Sequence, residues 1–222
     1  MTPPGRRRMP RAAKHSRGIT LATRSGYSGS PAPFPPPVPK EMRLSEHEWG
    51  MLSFLFSEVA FFSTLIVAYI NFEGEDTIGP TPEILSLPLV FGTTACLLSS
   101  SLTVHLATHS LERGKQALFR LFWALTIALG IAFLAGTAYE WYGLIVDEHL
   151  TISRNLFGTT FYTLVGFHAF HVTVGVIAMS VLLALALGRQ VTREHSLAAK
   201  LVSWYWHFVD GVWIVVFAVV YL

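Results

Sequence analysis

The chain has little to ionise and almost nothing to cross-link. Only 14% of its 222 residues are charged, and its single cysteine, Cys96, sits inside an apolar run. One cysteine excludes an intrachain disulfide and any cysteine-rich zinc or iron–sulfur site. No apolar run alternates with period two, which argues against the strands of a transmembrane barrel. Glycine-rich phosphate loops and a nucleophile–base arrangement are also missing, and nothing in the pattern calls for a nucleic acid partner.

What is present is hydrophobic. Apolar residues make up 52% of the chain, which places it in the membrane class. Five apolar segments stand out, at about 49–72, 84–108, 118–144, 158–187 and 199–222, and each is long enough to cross a bilayer as a helix. The expected fold is an all-α membrane protein, a bundle of five transmembrane helices spanning residues 44–222.

Residues 1–43 have a different composition. They hold nine of the twelve prolines, nine of the sixteen Lys/Arg and one acid, Glu41. "PAPFPPPVPK" suits extended, polyproline-like chain, and "GRRRMPRAAKHSR" a solvated basic stretch. No apolar core follows the arginines, so the start does not read as a signal peptide. The expectation is a disordered, basic, proline-rich cytoplasmic tail. Orientation follows from charge. The tail and the loops near 109–120 and 188–200 carry fifteen of the sixteen basic residues, and the alternate loops carry only Arg154. The positive-inside bias therefore puts the N-terminus in the cytoplasm and, after five spans, the C-terminus outside.

Several ionisable groups fall inside the spans. Glu58 lies near mid-depth of the first, in "FLFSEVAFFSTL". The twelve Leu, Ile, Val and Phe residues of 49–72 favour insertion by about 5 kcal/mol together, against about 3 kcal/mol for one central charge. The helix tolerates Glu58, but a buried acid without a partner is costly. It is therefore expected to face the bundle and contact His168 or His171 of the fourth span. Those two histidines, in "GFHAFHVTVG", are three residues apart and share a helix face. In the fifth span, "SWYWHFVDGVW" sets Ser203, His207 and Asp210 on one stripe. Glu140 lies in "LAGTAYEWYG", and the second span has a Ser/Thr-rich middle with His105 and His109 towards its end. A polar stripe of this kind often only hydrogen-bonds a neighbouring helix. A metal or a haem at His168 and His171 would need further donors on facing helices, and the sequence leaves that set incomplete.

The motifs "WYWHFVDGVWI", "GFHAFHVTVG", "GMLSFLFSEVAFFS" and "LATHSLERG" resemble subunit III of haem–copper terminal oxidases, over about residues 45–222. The resemblance is to the five-helix bacterial form, and the orientation it implies agrees with the charge count. It also implies a subunit without a redox centre, the haems and copper belonging to subunits I and II, where cytochrome c or quinol would also deliver electrons. The implied role is to pack against subunit I, hold phospholipids in a cleft, and sustain proton uptake and turnover stability in a bacterial inner membrane. The carbodiimide-reactive glutamate of the family falls on Glu58, its paired histidines on His168 and His171, its third-span acid on Glu140, its last-helix pair on His207 and Asp210, and its headgroup-facing basic residue on Arg189. Where many members have a doubled histidine ending the second span, this chain has Thr108 and His109. A quinol oxidase subunit III shares these motifs. A small subunit of nitric oxide reductases is a weaker rival, and a free-standing proton channel or a b-type cytochrome is the rival of another class.

Overall fold

A computed structural model describes residues 44–75, 85–188 and 196–222. The stretches 1–43, 76–84 and 189–195, and with them the basic tail and Arg189, lie outside the described residues. Leu44–Leu222 form one compact unit. It contains α1 (Glu46–Phe72), α2 (Leu87–Glu112), α3 (Gln116–Val146), α4 (Leu156–Leu187) and α5 (Ser196–Val220). All five are long and apolar enough to span a membrane, and the described residues include no strand.

Most helices overrun the apolar segments by a few residues, because polar ends continue the helix beyond the hydrocarbon. At the start of α1, Ser45 and Glu48 form a reciprocal capping box, which satisfies two otherwise orphaned N–H groups. Asn155 caps α4 by accepting from the Gly158 N–H at 2.9 Å. The α2–α3 connection is tight. Gly114 takes φ +72°, and the Lys115 N–H reaches back to the Ser110 carbonyl at 2.9 Å, a reversal that suits a residue without a Cβ.

Helix α2 packs on α3 and α5, and α4 packs on α3, α5 and α1. The central joint is Trp206 of α5. Its indole N–H donates to the Ser100 hydroxyl of α2 at 2.8 Å, and its ring lies against two glycines. A Cβ at Gly175 of α4 would meet the ring at 2.7 Å, and one at Gly130 of α3 at 2.8 Å. Four helices are thus pinned by one side chain, with glycine providing the close approach. Polar links continue the joint: Thr103 with Thr126 at 2.8 Å between α2 and α3, and Trp213 Nε1 to Thr94 Oγ1 at 3.0 Å between α5 and α2. Helix α1 is peripheral. Only Glu48, Phe62 and Tyr69 of it are buried, so its Phe56, Val67 and Ile70 look outward, as a lipid-facing or partner-facing helix requires.

Candidate functional site

Glu58 and His171 meet between α1 and α4. Glu58 Oε2 lies 3.2 Å from His171 Nε2, with side-chain exposures of 18% and 11%. His171 Nδ1 is 2.7 Å from the Phe167 carbonyl oxygen one turn back. A carbonyl only accepts, so Nδ1 carries a hydrogen and Nε2 is left to deal with the carboxyl group. Nε2 and Oε2 need one hydrogen between them. Either the carboxylic acid donates to imidazole, or imidazolium donates to carboxylate; both arrangements hold one exchangeable proton at the same net charge. Phe62 meets the imidazole edge-on at 4.9 Å, and Phe170 does so at 5.7 Å. This apolar collar limits competing water around the pair.

His168 has a different environment, although it shares the helix face. It is fully buried and neither ring nitrogen has a hydrogen-bond partner. Its ring lies on Trp213 at 4.8 Å and 30°, with Phe133 edge-on at 5.7 Å. Three residues advance a helix by about 300°. That 60° offset turns His168 towards α3 and α5 and His171 towards α1. The two rings therefore do not converge as ligands. Among the described residues no group of three or more His, Cys, Asp or Glu side chains is placed to hold a metal ion.

Glu140 belongs to another part of the bundle. It is 6% exposed; its Oε2 accepts from the Tyr221 hydroxyl at 3.0 Å, while Oε1 has no partner in hydrogen-bond geometry. The nearby Ser86 N–H is its other polar neighbour.

His207 and Asp210 sit where α5 faces α2. Ser101 Oγ lies 2.7 Å from His207 Nδ1. One turn deeper, Asp210 is 3% exposed, and neither carboxylate oxygen has a hydrogen-bond partner. Ser101 lies within its electrostatic reach without meeting hydrogen-bond geometry. Towards the end where α1 and α5 begin, a cavity of about 490 Å³ opens along the same seam, lined by His105, His109, Ser203 and His207 among others. Lys200 Nζ closes one edge by binding Glu48 Oε1 at 2.7 Å, while lying 5.1 Å over the Trp204 ring.

The Glu48–Lys200 pair was not anticipated from the sequence. In the structure Glu48 is the acid of an S-x-x-E cap, and its other oxygen binds Lys200. The signal that could have found the pair is an acid in the first turn of α1 and a lysine near the start of α5.

The family model for cytochrome c oxidase subunit III matches residues 41–222. Similar chains include a probable cytochrome c oxidase subunit 3 of Nocardia farcinica, 37% identical over 174 residues, covering 78% of this chain and 85% of that one. The cytochrome c oxidase subunit 3 of Corynebacterium diphtheriae is 37% identical over 176 residues, with the same two coverages of 78% and 85%. That of Danio rerio is 37% identical over 206 residues, covering 84% of this chain and 71% of the relative.

Proposed function

The chain belongs to the cytochrome c oxidase subunit III family, and on that footing we propose that it sustains proton uptake and turnover of the oxidase through the Glu58–His171 pair. It is a non-catalytic subunit of a haem–copper oxidase complex and a multi-pass membrane protein. In this reading it packs against subunits I and II, which carry the haems and copper and receive electrons, in a bacterial inner membrane. The names of its relatives favour cytochrome c over quinol as donor. The distribution of basic residues supports a cytoplasmic N-terminus and an external C-terminus. The same reading assigns His168, Glu140, His207, Asp210 and Arg189 to one proton- and lipid-associated set, with Arg189 the residue meant for a phospholipid headgroup.

The observation that carries the proposal is the 3.2 Å contact between Glu58 Oε2 and His171 Nε2, with His171 Nδ1 held by the Phe167 carbonyl. A protonatable pair at mid-depth, collared by phenylalanines, has no redox partner of its own and does not need one to hold or pass a proton. The test is Glu58→Gln in the assembled oxidase. Haem spectra and initial oxygen consumption should remain near wild type, carbodiimide labelling of this chain should vanish, and the number of turnovers before inactivation should fall several-fold. Complete loss of oxygen reduction in a normally assembled complex would make Glu58 part of the chemistry. An unchanged turnover lifetime would remove its supporting role.

A further inference from the structure

Two polar stripes face each other across the α2–α5 seam. On α5, Ser196, Lys200, Ser203, His207 and Asp210 follow one another at spacings of four, three, four and three. On α2, Ser101, His105 and His109 recur every four residues. Such spacings keep each set on one side of its helix. The cavity between them opens where α2 ends and α5 begins, and His207 reaches its inner end. His207 lies eight residues past Ala199, where the apolar segment begins, about 12 Å along the helix. That is more than a third of a hydrocarbon core, yet His105 and His207 are both exposed.

Past His207 the seam is not open, but it is still polar. Ser101 binds His207 and lies in reach of Asp210. Asp210 is nine-tenths buried or more, and both its oxygens are unpartnered by protein. A buried carboxyl group without any partner is strongly disfavoured, and bound water is the usual remedy beside a polar cavity with room for it. Beyond Asp210 the seam is sealed by the Trp213–Thr94 hydrogen bond and flanked by the Trp206–Ser100 bond.

The geometry points to the α2–α5 furrow as a water-filled, dead-end proton inlet in which His207 and Ser101 relay a proton to and from Asp210. This deepens the proton-uptake reading and rests on it and on the cytoplasmic orientation proposed above. The relay balances without a co-reactant. Nε2 of His207 takes a proton from hydronium in the cavity, leaving water. Nδ1 releases its own proton to the Ser101 hydroxyl, and the hydroxyl hydrogen passes through the water that satisfies Asp210 to its carboxylate. Emptying runs the same steps backwards, because the seal at Trp213 leaves no second exit. The inlet therefore stores protons and does not conduct them across the membrane. Other titratable groups on the helices against α5 are arranged around this line. His105, His109 and Glu112 of α2 and Glu48 of α1 line the cavity, while Glu58, His168 and His171 meet elsewhere, between α1 and α4 and at Trp213.

The test uses the assembled oxidase with Cys96→Ala as background. His105→Cys lines the open cavity, and Leu102→Cys stands three residues away on the outward face, where Leu102 is 62% exposed. A membrane-impermeant maleimide applied to the cytoplasmic side should label His105→Cys at least tenfold faster than Leu102→Cys. Equal or slower labelling would mean that lipid or another subunit fills the furrow, and would overturn the inlet. In infrared spectra, the carboxyl signal removed by Asp210→Asn should shift in D2O within seconds in the parent complex and much more slowly in His207→Phe. A signal that resists exchange for hours in the parent would equally refute it. Neither readout depends on turnover lifetime, so a failed Glu58→Gln test and a failed inlet remain distinguishable.

Discussion

Gly175→Ala is the sharpest test of the packing that holds these sites in place. In an ordinary helix the change stabilises by up to about 1 kcal/mol, since alanine loses less backbone freedom than glycine. Here the new methyl group would lie 2.7 Å from Cζ3 and 2.8 Å from Cε3 of Trp206, and 3.3 Å from Cε1 of Tyr205. The indole has nowhere to retreat. Gly130 holds its far edge, where a Cβ would come within 2.8 Å of Cη2, and the Ser100 hydroxyl holds its N–H at 2.8 Å. Overpacking of this kind costs about 1–3 kcal/mol. Set against the helix gain, Gly175→Ala should destabilise by about 1–2 kcal/mol. For a unit of this size that corresponds to a fall in melting temperature of roughly 2–8 °C. Thermal unfolding of the detergent-purified subunit, or its dissociation from the complex on warming, reads the change. Trp206→Phe should itself destabilise, but should rescue most of the added loss from Gly175→Ala because the smaller ring frees the space. A Gly175→Ala variant as stable as the parent, or a double variant in which the two losses simply add, would refute the reasoning.

Thr126→Val removes the Thr103–Thr126 link while keeping the shape, and should cost about 0.5–1 kcal/mol in the same melt, the usual worth of one interhelical hydrogen bond in a membrane. Lys200→Ala should destabilise less than Glu48→Ala, because Glu48 also closes the capping box with Ser45 and Lys200 is 48% exposed at its side chain; high salt should reduce both losses by weakening the parent's ion pair and leave the capping-box difference between them. Arg189→Ala should reduce the anionic phospholipid that co-purifies, measured by mass spectrometry, and unchanged lipid would reject its headgroup role. Removal of residues 1–40 should leave assembly of the complex intact, and failure to recover the complex would make the tail an assembly element.

The five helices were legible because each carries a long apolar run, and a bilayer leaves few alternatives for such a run. The ends were less so. Glu46–Glu48 and His109–Glu112 are helical outside the apolar pattern, because capping and water can satisfy the backbone at such ends. Which helices pack together was only partly visible. Glycines within the spans allow close approach, but nothing in a linear pattern singles out Gly175 and Gly130 or names Trp206 as the ring that fills both gaps. The histidine pair shows the limit most clearly. A spacing of three places His168 and His171 on one face, yet a 60° offset is enough to give one a carboxyl partner and the other a cage of aromatic rings. The Ser203–His207–Asp210 stripe was read correctly as a shared face, whereas the cavity beside it depends on α2 presenting its own stripe opposite, a fact of tertiary packing.

A half-buried acid, Glu58, and a buried one, Asp210, are accommodated in opposite ways, and α5 is what separates them. Tyr205 and His207 are two residues apart, about 200° around the helix axis, so they project to nearly opposite sides. On one side, the Tyr205 hydroxyl donates to the His171 carbonyl at 3.0 Å and steadies the helix segment that presents imidazole to Glu58. On the other, His207 binds Ser101 and opens to the cavity that leads towards Asp210. Glu58 is partnered by the His171 imidazole, whose ring is collared by phenylalanines. Asp210 has no protein hydrogen-bond partner and is reached through a polar furrow, so in the inlet reading water satisfies it and its proton exchanges with one aqueous side. Side chains facing opposite sides of a helix about 10 Å wide and sharing no partner affect each other weakly. The two groups can therefore be occupied independently, which one contiguous hydrogen-bonded chain would not allow. In the proposed reading, that independence lets the Glu58–His171 pair serve turnover stability while the inlet exchanges protons with one aqueous side.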